Sequence, residues 1–419
     1  MNRIFHSALL TTLIFGVLFV INSLPINSDF FDPLQQAFKD FELTDIVYSQ
    51  LLDEAPKRID TNIVIVNIGA LNRSEIAAVI RRVMSIRPKL AAVDAMFLRD
   101  VSPEETMSLV RTFNDYDNIV LAEQLTREED SPVGSIPGIT HDSLRPKKSG
   151  YVNFPSAVGT YRTIRTVTPF ENVGTQEHCA FAVQIAALIS PEDVAYLRER
   201  NNQTESINYQ KLNSFVRVDF PQVLDTSISI DFMTGKIVLF GYLGEHLNDR
   251  NSYDDRYFTP VNKRYAGKSF PDMFGVEIHA NVLSMIIHRD YVNSMSTAVN
   301  VVVSWAFCWI VILLFTLIDD KFPNYYDLIS KTLQITTIIL LLFLVIVCFD
   351  YFRYHFDSAL ATLSVALAAD GYQIYASALA ARKYSKQKKR STSQQELPSG
   401  AHPPVIAPRP SRKGRKKKR

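Results

Sequence analysis

The 419 residues are 47% hydrophobic and 21% charged, with 15 Gly, 20 Pro and a formal net charge of +2. That balance excludes a disordered polymer and a collagen-like repeat, and a mean hydropathy of +0.01 averages unlike parts. Charge is segregated too: residues 382–419 hold 14 Lys and Arg against one acid, Glu396, which leaves −11 for everything before them. Three cysteines, Cys179, Cys308 and Cys348, are too few for a disulfide framework or a cysteine-rich zinc site.

In chain order, residues 7–24 form an uncharged run preceded by Arg3, with no small-x-small pair after it, so it reads as an uncleaved membrane anchor. Residues 30–55 place Phe31, Leu34, Phe38, Phe41 and, after a shift, Val47 and Leu51 at helical spacing, an amphipathic helix. A regular alternation follows: strand 62–68, helix 73–86, strand 89–97, helix 103–114, strand 118–123. Near-continuous apolar strands in β-α-β order predict a mostly parallel sheet flanked by helices, an α/β domain. Residues 126–150, rich in Pro and Gly, read as an irregular excursion. Helix is expected over 178–190, where Cys179 reads as a small core residue, and a polar surface insertion over 191–213. Strands are expected at 215–220 and 236–240, then a long loop over 241–273 and a helix at 274–289.

Three further runs are long enough to cross a hydrocarbon core of ~30 Å: 297–318, 332–349 and 358–381, the last interrupted by Asp370. Four spans place both termini on one side. The basic cluster directly after the last span assigns that side to the cytoplasm, so residues 25–296 form an extracytoplasmic domain. Asp370 is a candidate for an ion path, but with no second central acid it reads better as a carboxylate facing the bundle. The tail from 382 is expected to be disordered and to meet anionic lipid headgroups. Apart from Tyr384 it lacks the interleaved aromatics of a nucleic-acid binder.

Parallel strands would bring Asn67, Asp94 and Glu123 to the carboxyl ends of adjacent strands, where open α/β sheets hold ligands. Asp249 in the long loop, with Glu277 and His279 on the last helix of the domain, completes a candidate ligand-binding set. Singly, Asp94 reads as a helix cap or loop-backbone partner, Glu277 as the partner of a loop Arg and His279 as a satisfied, partly buried imidazole; together the whole set could hold a cation or a polar molecule. Glu277 and His279, two apart on a helix, point away from each other, which argues against a shared metal. No phosphate loop, zinc-protease helix or nucleophile elbow is present, so no catalytic residue, metal or cofactor is assigned.

The order of short motifs resembles the CHASE type-2 family. The residues that carry the likeness are FELTDIVY at 41–48, IVIVNIGALN at 63–72, KLAAVDAMF at 89–97, GYVNFPSAVGTYRTIR at 150–165, GKIVLFGYLG at 235–244, Asp249 ahead of Thr259-Pro260, and GVEIHA at 275–280. The chain departs from the family in carrying Asn67-Ile68-Gly69-Ala70 where an acidic pair is usual, and in lacking a Trp-Pro-x-x-Arg element. The resemblance implies an extracytoplasmic sensory domain followed by three spans in a bacterial cytoplasmic membrane, working as a homodimer. Relatives carry a cytoplasmic kinase or cyclase, whereas only 38 residues follow Ala381 here. The expectation is therefore a stand-alone sensor that signals to a separate cytoplasmic or membrane partner. The alternative from another class is an envelope scaffold without a small-molecule ligand.

Overall fold

A computed structural model describes residues 3–23, 43–51, 59–97, 103–126, 134–137, 148–154, 163–247, 249, 252–263 and 270–395. The expected helix over 30–55 lies largely outside them, as does the tail beyond 395; residues 382–395, expected to be disordered, are helical instead. The described elements begin with α1 (Arg3–Ser23) and a short α2 (Leu43–Ile46) that runs into a π turn (Val47–Leu51). The alternating region follows as β1 (Asp60–Asn67), α3 (Arg73–Ser85), β2 (Leu90–Val93), α4 (Pro103–Asp115) and β3 (Ile119–Thr126). Next come β4 (Gly134–Pro137), β5 (Ser149–Tyr151), β6 (Thr166–Val167), β7 (Phe170–Val173) and β8 (Gln176–Cys179). Two helices, α5 (Phe181–Ile189) and α6 (Pro191–Glu199), lead to β9 (Glu205–Ser206), β10 (Phe215–Asp219), α7 (Phe220–Leu224) and β11 (Ile237–Gly241). The hairpin strands β12 (Arg256–Tyr257) and β13 (Met273–Phe274) precede α8 (Gly275–Ile287). The remainder is β14 (Asn293–Ser294), α9 (Thr297–Lys321), α10 (Tyr326–Phe352), β15 (Tyr354–His355) and α11 (Ala359–Gln395).

The chain divides into two compact units, one of residues 24–304 with 336–362, the other of 1–23, 305–335 and 363–419. In the first, the main sheet has the order β10-β1-β11-β2-β3-β4, with β5 also on β3. Every pair is parallel except β3 with β4. Side chains alternate across β1, so Ile63 and Ile65 enter the layer beneath α5 and α8, while Val64 and Val66 enter the layer beneath α3, α4 and α7. Burial on both faces is what makes these strands uninterrupted apolar runs. Helix α3 starts where Asn72 accepts from the Glu75 amide and Glu75 accepts from the Asn72 amide, a complete capping box. Gly241 is required where α8 crosses β11: a Cβ there would stand 2.6 Å from that of Val276.

Two expectations are corrected. Residues 191–213 are no surface insertion, because Leu197, Ile207 and Tyr209 are buried in the core beside α8. Among the described residues three helices, not four, are long and apolar enough to cross a membrane: Arg3–Ile21, Thr297–Lys321 and Pro323–Phe352. The fourth expected span is the first half of the 37-residue α11, whose apolar content is diluted by Asp370, Gly371, Tyr372 and Gln373. Within the helical unit these polar groups are used. Lys331 Nζ lies 2.6 Å from an Asp370 carboxylate oxygen, Tyr372 donates to Asp319 at 2.9 Å, and His6 and Tyr375 meet at 2.6 Å. Asp370 thus has a partner, the lysine just before the apolar part of α10.

Candidate functional site

Strands β1, β2 and β10 send the chain to the α3, α4 and α7 face, whereas β11, between β1 and β2, leads to α8 on the opposite face. Neighbouring strands whose connections part in this way leave a crevice outside their carboxyl ends, the usual ligand position in such sheets. Two of the expected site residues flank it.

On the β1 side the crevice is closed. Asn67 is fully buried; its amide donates to an Asp219 carboxylate oxygen at 2.9 Å and to Gly244 O at 3.1 Å. Its oxygen accepts from the amides of Gly69 at 3.0 Å and Leu243 at 2.8 Å. All four hydrogen bonds of the side chain are spent on tying together the ends of β1, β10 and β11, so Asn67 is a brace.

On the β2 side two acids converge. The Asp94 amide donates to Phe240 O at 2.7 Å, setting Asp94 at the mouth between β2 and β11. Burial, then the negative charge of Asp255, holds the Asp94 carboxyl well above the usual carboxylate range. Asp255 sits with positive φ (55°) ahead of β12, and its carboxylate oxygens lie 3.1 Å from where a Gly275 Cβ would stand, at the first turn of α8. Desolvation raises Asp255 to about 6, opposed by hydrogen bonds from Tyr257 and the Gly275 amide. The α8 amino terminus favours the anion there.

Glu277, in the first turn of α8, accepts from the Phe274 amide at 3.3 Å and faces Arg217 of β10 at 3.5 Å. Burial raises its carboxyl, against the pull of Arg217. His279 turns elsewhere. Its ring stacks on Phe154 with centroids 4.7 Å apart and meets the edge of Phe181 at 5.4 Å. Burial lowers it to about 3, so it stays neutral among aromatic rings.

Glu123 lies within β3, three residues short of its end, and is bound to His178 at 2.9 Å and to the Ser149 hydroxyl at 3.1 Å. Neighbouring Cys179 is packed against the core, and burial pushes its thiol up. Asp249 enters through its main chain: its carbonyl accepts from Arg256 at 3.1 Å. The six expected residues are therefore distributed over several settings, and among the described residues no group of three His, Cys, Asp or Glu side chains is placed to hold a metal. The residues missed are Asp255, Tyr257, Arg217 and His178. Asp255 was visible only as one charge in a crowded loop, and His178 was assigned to a helix rather than to the strand that carries it to Glu123.

A mostly parallel sheet covered by helices on both faces, with the buried α8 starting at its strand ends, describes an α/β domain. The family model of the CHASE2 domain matches residues 10–318, and the chain belongs to that family. CHASE2 domains are extracytoplasmic sensory domains, so with its membrane-length helices the chain is a membrane protein with an extracytoplasmic sensory segment. No curated protein and no solved structure matches it.

Proposed function

We propose that the chain is a non-catalytic, membrane-anchored sensor that binds a ligand or protein outside the cytoplasm and signals through its membrane helices to a separate partner. The observation that carries this reading is the setting of α8. Every residue from Gly275 to Ile286 is buried, so the helix moves only as the core around it moves. Its amino end lies at the Asp255 carboxylate and its carboxyl end leads within ten residues into α9. That exit is tied to the connector between α10 and α11. β14 pairs with β15, the Asn293 amide donates to Arg353 O at 2.8 Å, and Asn300 donates to Asp357 O at 3.0 Å. A shift of α8 therefore acts on the starts of α9 and α11 together.

In this reading the apolar half of α11 is a fourth span, held by polar pairs such as Lys331–Asp370, and both termini are cytoplasmic. The basic tail rests on anionic lipid. The partner meets the 319–331 loop or that tail, and two copies of the chain work as a dimer. The test is a spin-label distance between Arg289→Cys and Thr297→Cys, with the native cysteines replaced, in the full chain in lipid nanodiscs. Binders from a thermal-shift screen should move the distance distribution. A distribution that stays fixed with every saturable binder contradicts the sensor and favours a scaffold.

A further inference from the structure

A cavity of about 850 Å³ opens in the α/β unit at the end opposite the strand-end crevice. It is framed by the start of β1, the segment before β10, the carboxyl end of α8 and the connector after α10. Its volume is within the ~300–1,000 Å³ of small-molecule sites. The wall carries both signs of charge, Lys211 and Arg353 against Asp60 and Asp290. A further lining cation, Arg289, is spent on Asp193 at 2.6 Å.

Arg353 is the unusual member. Its backbone is left-handed, with φ of 50°, in the connector between α10 and α11, and its Nη1 is shut off from solvent with no hydrogen-bond partner among the described residues. The residue also lines the cavity, so its guanidinium charge faces an incoming oxyanion there. Across the cavity Asp60 is held in place: it accepts from the Asn62 amide at 2.9 Å and the Ser284 hydroxyl at 2.7 Å. His288 donates through Nδ1 to Ser284 O at 2.9 Å and faces the Asp60 carboxylate at 3.7 Å, too far for a hydrogen bond, so the acid keeps lone pairs to spare. A purely anionic ligand would meet Asp60 and Asp290 unfavourably, and a purely cationic one would meet Arg353 and Lys211.

The geometry points to this cavity as the binding site for a small zwitterion, its phosphate or carboxylate on Arg353 and its amine against Asp60 and Asp290. The inference rests on the sensor reading and deepens it, because Arg353 and the α8 end are the two partners whose relative position the signal changes. Beside the segment that ends at Phe352, the cavity is within reach of a free zwitterion or of an aminophospholipid headgroup.

The test is calorimetric titration of the full-length protein in detergent with phosphoethanolamine, β-alanine and glycerol 3-phosphate, and in nanodiscs of phosphatidylethanolamine or phosphatidylglycerol. The expected result is saturable binding of an amine-bearing probe, weakened at least tenfold by Arg353→Gln and less by Arg353→Lys, with Asp60→Asn also weakening it. Binding of phosphoethanolamine assigns a phosphate, of β-alanine a carboxylate, and retention only in phosphatidylethanolamine nanodiscs assigns the lipid. Equal binding of glycerol 3-phosphate, equal affinity in a folded Arg353→Gln or Arg353→Lys protein, or no binding of any probe overturns the site. Binding that leaves the 289–297 distance unchanged keeps the site and refutes the signalling.

Discussion

Polar residues in this domain are placed where removal from water decides their charge. Asp272 shows the consequence most clearly: it accepts from the Thr259 amide at 2.9 Å and the Thr259 hydroxyl at 2.5 Å, yet burial raises it to about 7. A raised carboxyl keeps its proton in the folded chain at pH values where the unfolded chain has lost it. Its contribution is therefore complete in acid and is lost as pH rises toward about 7. In thermal unfolding of the full chain, the midpoint should fall between about pH 4 and about pH 7, and Asp272→Asn should flatten that fall, its oxygen accepting from the Thr259 amide and its own amide donating to the Thr259 hydroxyl. An unchanged slope in the variant contradicts the assignment. Asn67, Asp94 and Glu123 were read as strand-end residues; Asn67 closes β1 and Asp94 follows β2, but Glu123 lies inside β3. Sequence alone could not show that Asn67 has no bonding capacity left, or that His279 lies between aromatic rings, because both depend on residues far away in the chain.

Among elements, the β-α-β-α-β stretch was legible because its helices and strands announce themselves by local apolar spacing. Strand order was not, since β11 enters between β1 and β2 from over 140 residues away. The 191–213 segment was misread for the same reason: its polar average hides Tyr209, fully buried and donating to Ile164 O at 2.9 Å. The β11–α8 crossing is the joint on which the signalling account depends, and Gly241 sets its spacing. Gly241→Ala should push α8 off the sheet at a cost of about 1–3 kcal/mol, read as a lowered unfolding midpoint. Adding Val276→Ala, which removes the opposed methyl groups, should restore much of it. A neutral Gly241→Ala would mean that helix and strand are not in close contact.

At the scale of the molecule, the family match spans most of the chain and makes the large domain a sensory one. Apolar length marks three membrane helices among the described residues, and α11 packs on that helical unit through polar contacts from Gln334 and Tyr372. The sensor account requires the sheet, α8 and the 353–355 connector to lie on one side of the bilayer and the lysine-rich tail on the other. Protease added to intact spheroplasts, followed by blotting for tags at residue 200 and at the carboxyl terminus, tests this directly. The account predicts that the domain tag is lost while the terminal tag survives on a membrane-embedded fragment. A protected domain tag with a digested terminus would contradict it.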